Sequence, residues 1–296
     1  MSDVLLVHPY GLDLGVAERT PPLGLASIGA VLERAGYGVV AYDQQVARED
    51  FRAVAAATRP ALALIGGTSH GRFVAFDYAR VVKEVVPDAV VVYGGPHASF
   101  TARETLTRVG AVDVIGHGEG EDTCLEVAAW VRAGGRRDQL NKINGLTFRG
   151  ARGELITTAP RPRIADLDAL PLPARHLWPM SRYRLVMDLL GVPGTIIMTS
   201  RGCPIACDFC SESFFFGKQF VTRSARHVVD EVAEVTARWG AKGIQVFDST
   251  FSLRRQHVLD FCAELKRRGM VVPWACQVRV NTVDKELLAT MQEAGC

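Results

Sequence analysis

The chain has 296 residues, a formal net charge of +2, 48% hydrophobic and 22% charged residues, the ordinary balance of a globular protein with room for two cores. Its basic residues are scattered, and short clusters such as Arg136-Arg137 and Lys266-Arg267-Arg268 read as solvated helix faces, so no nucleic-acid partner is expected. No stretch approaches the roughly 20 apolar residues of a membrane span, and Met1 to Val7 lack the basic and long apolar segments of a signal peptide, so the expectation is a cytoplasmic chain.

Five short apolar runs come first: Val4 to Val7, Gly38 to Ala41, Ala61 to Ile65, Val90 to Tyr93 and Val112 to Ile115. Runs this short and this rich in β-branched residues are the pattern of buried parallel strands. Between them, segments such as Gly24 to Ala35, Phe73 to Val86 and Glu119 to Val131 carry apolar residues at helical spacing. The alternation predicts a flavodoxin-like, doubly wound α/β domain over residues 1–135.

In such a domain ligands sit beyond the carboxyl ends of the strands. Those ends carry His8-Pro9-Tyr10-Gly11, Gly66-Gly67-Thr68-Ser69-His70, Gly94-Gly95-Pro96-His97 and Gly116-His117-Gly118-Glu119-Gly120-Glu121. Each glycine run alone is a strand-to-helix turn; together they suit the close approach of a flat, bulky ligand. A nicotinamide fingerprint is absent, since no Gly-x-Gly-x-x-Gly follows the first run.

Residues 136–190 read as a linker, with turns at Gly134-Gly135, Asn144-Gly145, Gly150 and Gly153, a short hairpin from Gly145 to Phe148 and Leu155 to Thr158, and a proline-punctuated stretch from Leu167 to Arg175. Alternation resumes over 191–296. Strands are predicted at Thr195 to Thr199, Gly243 to Phe247 and Trp274 to Val280, and helices near Ala225 to Trp239, Arg254 to Arg268 and Val283 to Glu293. Three βα units in succession predict part of a TIM-like barrel, with its chemistry at the carboxyl ends of the strands.

After the first of these strands comes Arg-Gly-Cys-Pro-Ile-Ala-Cys-Asp-Phe-Cys-Ser, residues 201 to 211. It places three of the seven cysteines, Cys203, Cys207 and Cys210, at CxxxCxxC spacing. Structural zinc and iron–sulfur centres ordinarily take four protein ligands, so three thiols point to a cluster with one open iron, against the alternatives of an incomplete zinc knuckle or three core cysteines. Cys124, Cys262, Cys276 and Cys296 lie far apart and read as reduced thiols.

The spacing and its flanks, Gly202, Pro204 and Phe209, resemble the cluster loop of the radical S-adenosylmethionine (SAM) enzymes. The first half resembles the cobalamin-binding domain that precedes many of their cores, on Thr20-Pro-Pro-Leu-Gly-Leu-Ala26, Leu32-Glu33-x-x-Gly36-Tyr37, Thr68-Ser69, Gly94-Gly95-Pro96-His97 and Gly118-Glu119-Gly120-Glu121. The Asp-x-His-x-x-Gly of the cobalt-ligating cobalamin domains is missing, and none of His8, His70, His97 or His117 is assigned as a cobalt ligand.

The resemblance implies a 4Fe-4S cluster on Cys203, Cys207 and Cys210; SAM beside Phe209, Asp248, Thr250 and Arg279; and cobalamin over Thr68, Ser69, Gly94, Gly95, Gly118 and Glu119. The alternative for Asp248 is a helix N-cap, and for Arg279 a surface residue. Ala294-Gly295-Cys296 matches the point where the family enters its fourth barrel strand, so the expectation is a fragment or split protein with an incomplete barrel of three βα units and a complementing chain. The implied activity is methylation of an unactivated carbon, fed by a reduced flavodoxin or ferredoxin. Radical cyclisation or rearrangement, and a cobalamin-binding module without catalysis, are the alternatives.

Overall fold

A computed structural model of the chain describes residues 3–11, 19–183, 185–187, 192–205 and 207–296. Parts of the expected linker and core, at 184 and 188–191, and Ala206 of the cysteine loop lie outside the described residues. The chain divides into two compact units: one contains Pro22–Arg163 and Pro171–Pro179 with the first strand, the other Ile164–Leu170 and Met180–Cys296.

The first unit runs β1 Val4–His8, α1 Leu23–Arg34, β2 Val39–Asp43, α2 Phe51–Thr58, β3 Leu62–Gly66, α3 Arg72–Val85, β4 Val90–Gly94, α4 Pro96–Arg108, β5 Val114–Gly116, α5 Glu121–Arg132, β6 Leu146–Arg149 and β7 Leu155–Thr157. Its sheet has the order β2-β1-β3-β4-β5-β6-β7. The first five strands are parallel, and the predicted hairpin adds antiparallel to β5, extending this sheet. Leu5, Val7, Ala63, Ile65, Val91 and Tyr93 point into one core with α2, α3 and α4. On the other face Leu6 lies beside Gly29 of α1. Both faces are therefore covered, which is why the strands read as unbroken apolar runs.

Strand order reverses between β1 and β3, the switch point at which such folds leave a crevice. Next to it, β3, β4 and β5 each end on glycine: Gly66, Gly94 and Gly116. Gly95 follows with φ +95 and ψ −175, a region open essentially to glycine, and a Cβ there would meet the Gly67 carbonyl oxygen at 2.8 Å.

The second unit runs β8 Leu185–Met187, β9 Val192–Ile197, β10 Ser200–Arg201, α6 Glu212–Phe215, β11 Val221–Thr222, α7 Ala225–Trp239, β12 Gly243–Val246, α8 Arg255–Arg267, β13 Trp274–Cys276 and α9 Lys285–Glu293. Strands β13, β12 and β9 are parallel neighbours, with β8 antiparallel on β9. The three expected βα units are thus present. In α7, Ser224 caps the start by accepting from His227 N at 3.2 Å, Gly240 ends it in the left-handed region, and Val228, Val232 and Val235 are fully buried. No helix among the described residues is long and apolar enough to cross a membrane.

Gly95→Ala is expected to destabilise the first unit by about 1–3 kcal/mol, the usual cost of a residue forced into so sparsely populated a region. Urea unfolding followed by circular dichroism measures it.

Candidate functional site

The cysteine loop is gripped at both ends. It leaves β9 through Ser200-Arg201, which pair antiparallel with Thr222 and Val221, so residues 202–220 form a closed excursion from the carboxyl end of the sheet. Inside it, Cys203 N reaches Gly217 O at 3.4 Å, Cys207 N reaches Ile205 O at 2.9 Å, and Cys210 N reaches Cys207 O at 3.0 Å. Cys203 is buried; Cys207 and Cys210 are half-exposed, and all three are free thiols. Among the described residues no group of three or more His, Cys, Asp and Glu is drawn together as a metal ion would hold it. The donor set itself suits a thiophilic cluster: three soft sulfurs within eight consecutive residues, on a loop whose ends are fixed.

Phe209, at the loop tip, is 91% exposed. Arg279, just beyond β13, donates from Nη1 to Cys207 Sγ at 3.3 Å, so these two predicted site residues do meet. Asp248 and Thr250 take a different posture. Past the end of β12 the chain alternates: Phe247 and Ser249 are exposed, Asp248 and Thr250 buried. Thr250 Oγ1 donates to Ser249 O at 2.6 Å. Asp248 accepts from Thr199 N at 2.7 Å, Ser200 N at 3.2 Å, Thr199 Oγ1 at 2.5 Å and Ser200 Oγ at 2.6 Å. Ser249, between Asp248 and Thr250, is the accessible hydroxyl at this strand end, as the two-residue period of Val246 to Thr250 dictates.

His257, in the first turn of α8, stands behind this network with Nε2 2.7 Å from Thr199 Oγ1 and its ring edge-on to Phe251 at 5.4 Å. Burial, then the nearby Arg254 charge, lower its pKa to about 4. The imidazole is therefore neutral, and because Thr199 Oγ1 gives its proton to Asp248, Nε2–H donates to Thr199. Burial pushes the Asp248 carboxyl up, while its four hydrogen bonds oppose that shift. Arg223 completes the surround: its N–H reaches Thr199 O at 2.9 Å, and its guanidinium reaches Met198 O at 2.8 Å and pairs with Glu231.

In the first unit, Thr68 and Ser69 are exposed past the end of β3, and Ser69 Oγ lies 2.9 Å from His97 Nδ1. Gly67 N donates to Gly94 O at 3.1 Å, and Gly118 N to Ser99 Oγ at 3.1 Å. Gly66, Gly94 and Gly116, with Gly67 and Gly95 after them, leave the ends of three adjacent strands without side chains, and Thr68 and Ser69 follow at the margin. Beside them the Tyr93 hydroxyl is buried with no hydrogen-bond partner, 3.1 Å from where a Cβ on Gly67 would lie. An orphan donor beside bare strand ends fits a large planar polar ligand. Glu119 instead turns to Arg163, with Oε2 2.8 Å from Nε. His8 Nδ1 pairs with Asp43 at 3.0 Å, and His117 Nε2 lies 2.8 Å from Thr147 Oγ1.

The B12-binding domain family model matches residues 12–128, and the radical SAM superfamily model matches residues 197–296. The chain belongs to the cobalamin-binding radical SAM family. Within that family it is 32% identical over 299 residues to the uncharacterized methyltransferase PH0819 of Pyrococcus horikoshii, covering 99% of this chain and 63% of the relative. It is 29% identical to the anaerobic magnesium-protoporphyrin IX monomethyl ester cyclase of Cereibacter sphaeroides, covering 99% of this chain and 48% of that enzyme. Among solved structures, TsrM of Kitasatospora setae, a radical SAM methyltransferase with cobalamin and a 4Fe-4S cluster bound, superposes with a TM-score of 0.78 at 21% identity, covering all of this chain and 58% of its own. The chain thus spans less than two thirds of the length of these relatives.

The His257 environment makes a pH signature. A folded pKa of about 4 lies below the ordinary 6.5, so the native state disfavours protonation. The stability of the second unit should be fully present above pH 6.5 and fall progressively towards pH 4, by about 3 kcal/mol in all. Asp248 is displaced the other way, so the difference between wild type and His257→Gln in urea titrations across pH 4–7 isolates the imidazole, and the variant should lose this slope.

Proposed function

We propose that this chain forms the cobalamin-binding and cluster-binding part of a radical SAM methyltransferase. The observation that carries the reading is a loop with three thiols, clamped at both ends by the β10–β11 pair, at the carboxyl end of a parallel sheet. Three protein ligands leave a 4Fe-4S cluster one coordination position short of the usual four, which is the vacancy SAM requires. Held by Cys203, Cys207 and Cys210, the cluster would supply the electron for reductive cleavage of SAM, and cobalamin at the strand-end glycines would supply a methyl group.

The chain's own residues bind and orient. Cys203, Cys207 and Cys210 hold the cluster; Arg279 offers a guanidinium fork to the SAM carboxylate or to the ligating sulfur; Phe209 offers an exposed ring to the adenine. At the β12 end the accessible contact falls to Ser249, whose carbonyl accepts from Thr250 Oγ1, while Asp248 holds Thr199 and Ser200. In the other unit, the glycine ends of β3, β4 and β5 receive cobalamin, with Thr68, Ser69, Gly94, Gly95 and Gly118 along its edge and Tyr93 as a buried donor. Glu119 contributes by fixing Arg163 and the turn it sits in. A reduced flavodoxin or ferredoxin is the electron donor this chemistry calls for, and the cytoplasm is the compartment that protects such a cluster.

The 32% identical methyltransferase supports methyl transfer, whereas the 29% identical cyclase supports oxidative ring closure on the same scaffold. Methyl transfer is preferred because TsrM, which matches the whole chain, is also a methyltransferase.

Anaerobic reconstitution of the chain with iron, sulfide and hydroxocobalamin is the test. Wild type should bind about four iron atoms and a corrin, with an electron paramagnetic resonance signal that SAM perturbs; the Cys203→Ala/Cys207→Ala/Cys210→Ala variant should keep the corrin and lose the iron. Corrin without iron in wild type would leave a cobalamin module and sink the radical assignment.

A further inference from the structure

Backbone pairing between β9 and β12 ends at Ile197 and Val246, with one more hydrogen bond from Phe247 N to Ile197 O at 2.8 Å. Beyond that point the chain must leave the sheet to enter the cysteine loop, while Thr199 and Ser200 remain at 0% and 4% exposure. The buried peptide N–H groups of Thr199 and Ser200 therefore lie past the paired stretch of β9 and β12, where the loop begins. The Asp248 side chain supplies their partner: Oδ1 accepts both peptide N–H groups and Oδ2 accepts both hydroxyls. A carboxylate so used has no acceptor capacity left for a ligand. A lone buried charge would cost several kcal/mol, and four donors in one short segment offset that cost.

The consequence is positional. Residues 198–201 are held from three directions: by Asp248 past β12, by His257 on α8, and by Arg223 after β11. Cys203, two residues further, is the most buried thiol of the loop. We infer that Asp248, through Thr199 and Ser200 and with His257 behind them, is a positioning residue that sets where Cys203 presents its sulfur, and so which way the cluster's open site faces. This rests on the reading that Cys203, Cys207 and Cys210 hold the cluster. It assigns Asp248 a role in SAM binding without contact to SAM.

The carboxylate, its amide analogue and its absence behave differently. Asp248→Asn keeps one oxygen for the two peptide N–H groups, and its amide N–H groups meet hydroxyls that can turn to accept. Asp248→Ala leaves both peptide N–H groups and the Ser200 hydroxyl without their acceptor, and the Thr199 hydroxyl with only His257. Ser200→Ala removes one hydroxyl and leaves the rest of the network intact.

The test titrates SAM into anaerobically reconstituted full chain and follows the electron paramagnetic resonance signal, with iron, corrin and circular dichroism measured on each sample. The expected result is a graded series. Asp248→Asn stays within about twofold of wild type, Ser200→Ala is intermediate, and Asp248→Ala needs roughly tenfold more SAM, or binds little iron, while retaining its corrin. Unchanged SAM response in both Asp248→Ala and Ser200→Ala would overturn the inference. So would an Asp248→Asn variant as defective as Asp248→Ala with wild-type Ser200→Ala behaviour, which would reduce the carboxylate to a folding element. If Asp248→Ala fails to fold, Ser200→Ala decides: a wild-type response there overturns the inference, a weakened one supports it. Wild-type protein without a cysteine-dependent cluster would remove the underlying reading, an outcome visible before any Asp248 variant is examined.

Discussion

The buried Asp248 carboxylate is the constraint on which the cysteine loop depends. A parallel sheet satisfies its peptide groups only while the strands run together, and a loop that must leave the sheet from a buried position breaks that condition. Asp248 meets it with one side chain in place of a further length of strand, reaching 49 residues back to Thr199 and 48 to Ser200. The loop can then be irregular, glycine-punctuated and rich in thiols, because its point of departure is rigid. Thr222 and Val221 anchor its return.

The first unit solves a different problem by subtraction. Three neighbouring strands end on Gly66, Gly94 and Gly116, so the edge where a ligand would enter has no side chains to clear. Gly95 adds a backbone turn that only glycine adopts at low cost. Polar groups are retained around the margin, in Ser69 with His97 and in the unpaired Tyr93 hydroxyl. The two units therefore shape their strand ends in opposite ways, one by tightening a backbone with buried hydrogen bonds, the other by removing volume.

Much of this was legible in the sequence. Runs such as Val90 to Tyr93 announce strands because they are buried on both faces, and the Ser224 and Gly240 caps bracket α7. Helix α2 gives only a weak signal of its own, because Phe51–Thr58 is short and alanine-rich, with a start set by an Asp50 contact to Ala53 N. Helix α4 was hidden behind Gly95-Pro96, which read as loop; Pro96 sits in the first helical turn, where its missing N–H costs nothing. The hairpin was visible, but its attachment to β5 was not, because antiparallel addition to a parallel sheet leaves no periodic trace.

The candidate site divides along the same line. Cysteine spacing and strand-end glycines are local patterns and could be read directly. Asp248 could be placed at its strand end but not oriented, since N-cap, ligand contact and buried acceptor all call for the same residue type. What decides among them is the phase of the alternation: Phe247 and Ser249 face outward, so Asp248 faces the core and must find its donors there. Thr199 and His257 had no signal of their own, because a threonine after a strand and a histidine in an amphipathic helix are ordinary until folding brings them together. A contact made across 58 residues, from Thr199 to His257, belongs to the tertiary structure, and it is made at the residues from which the thiol loop departs.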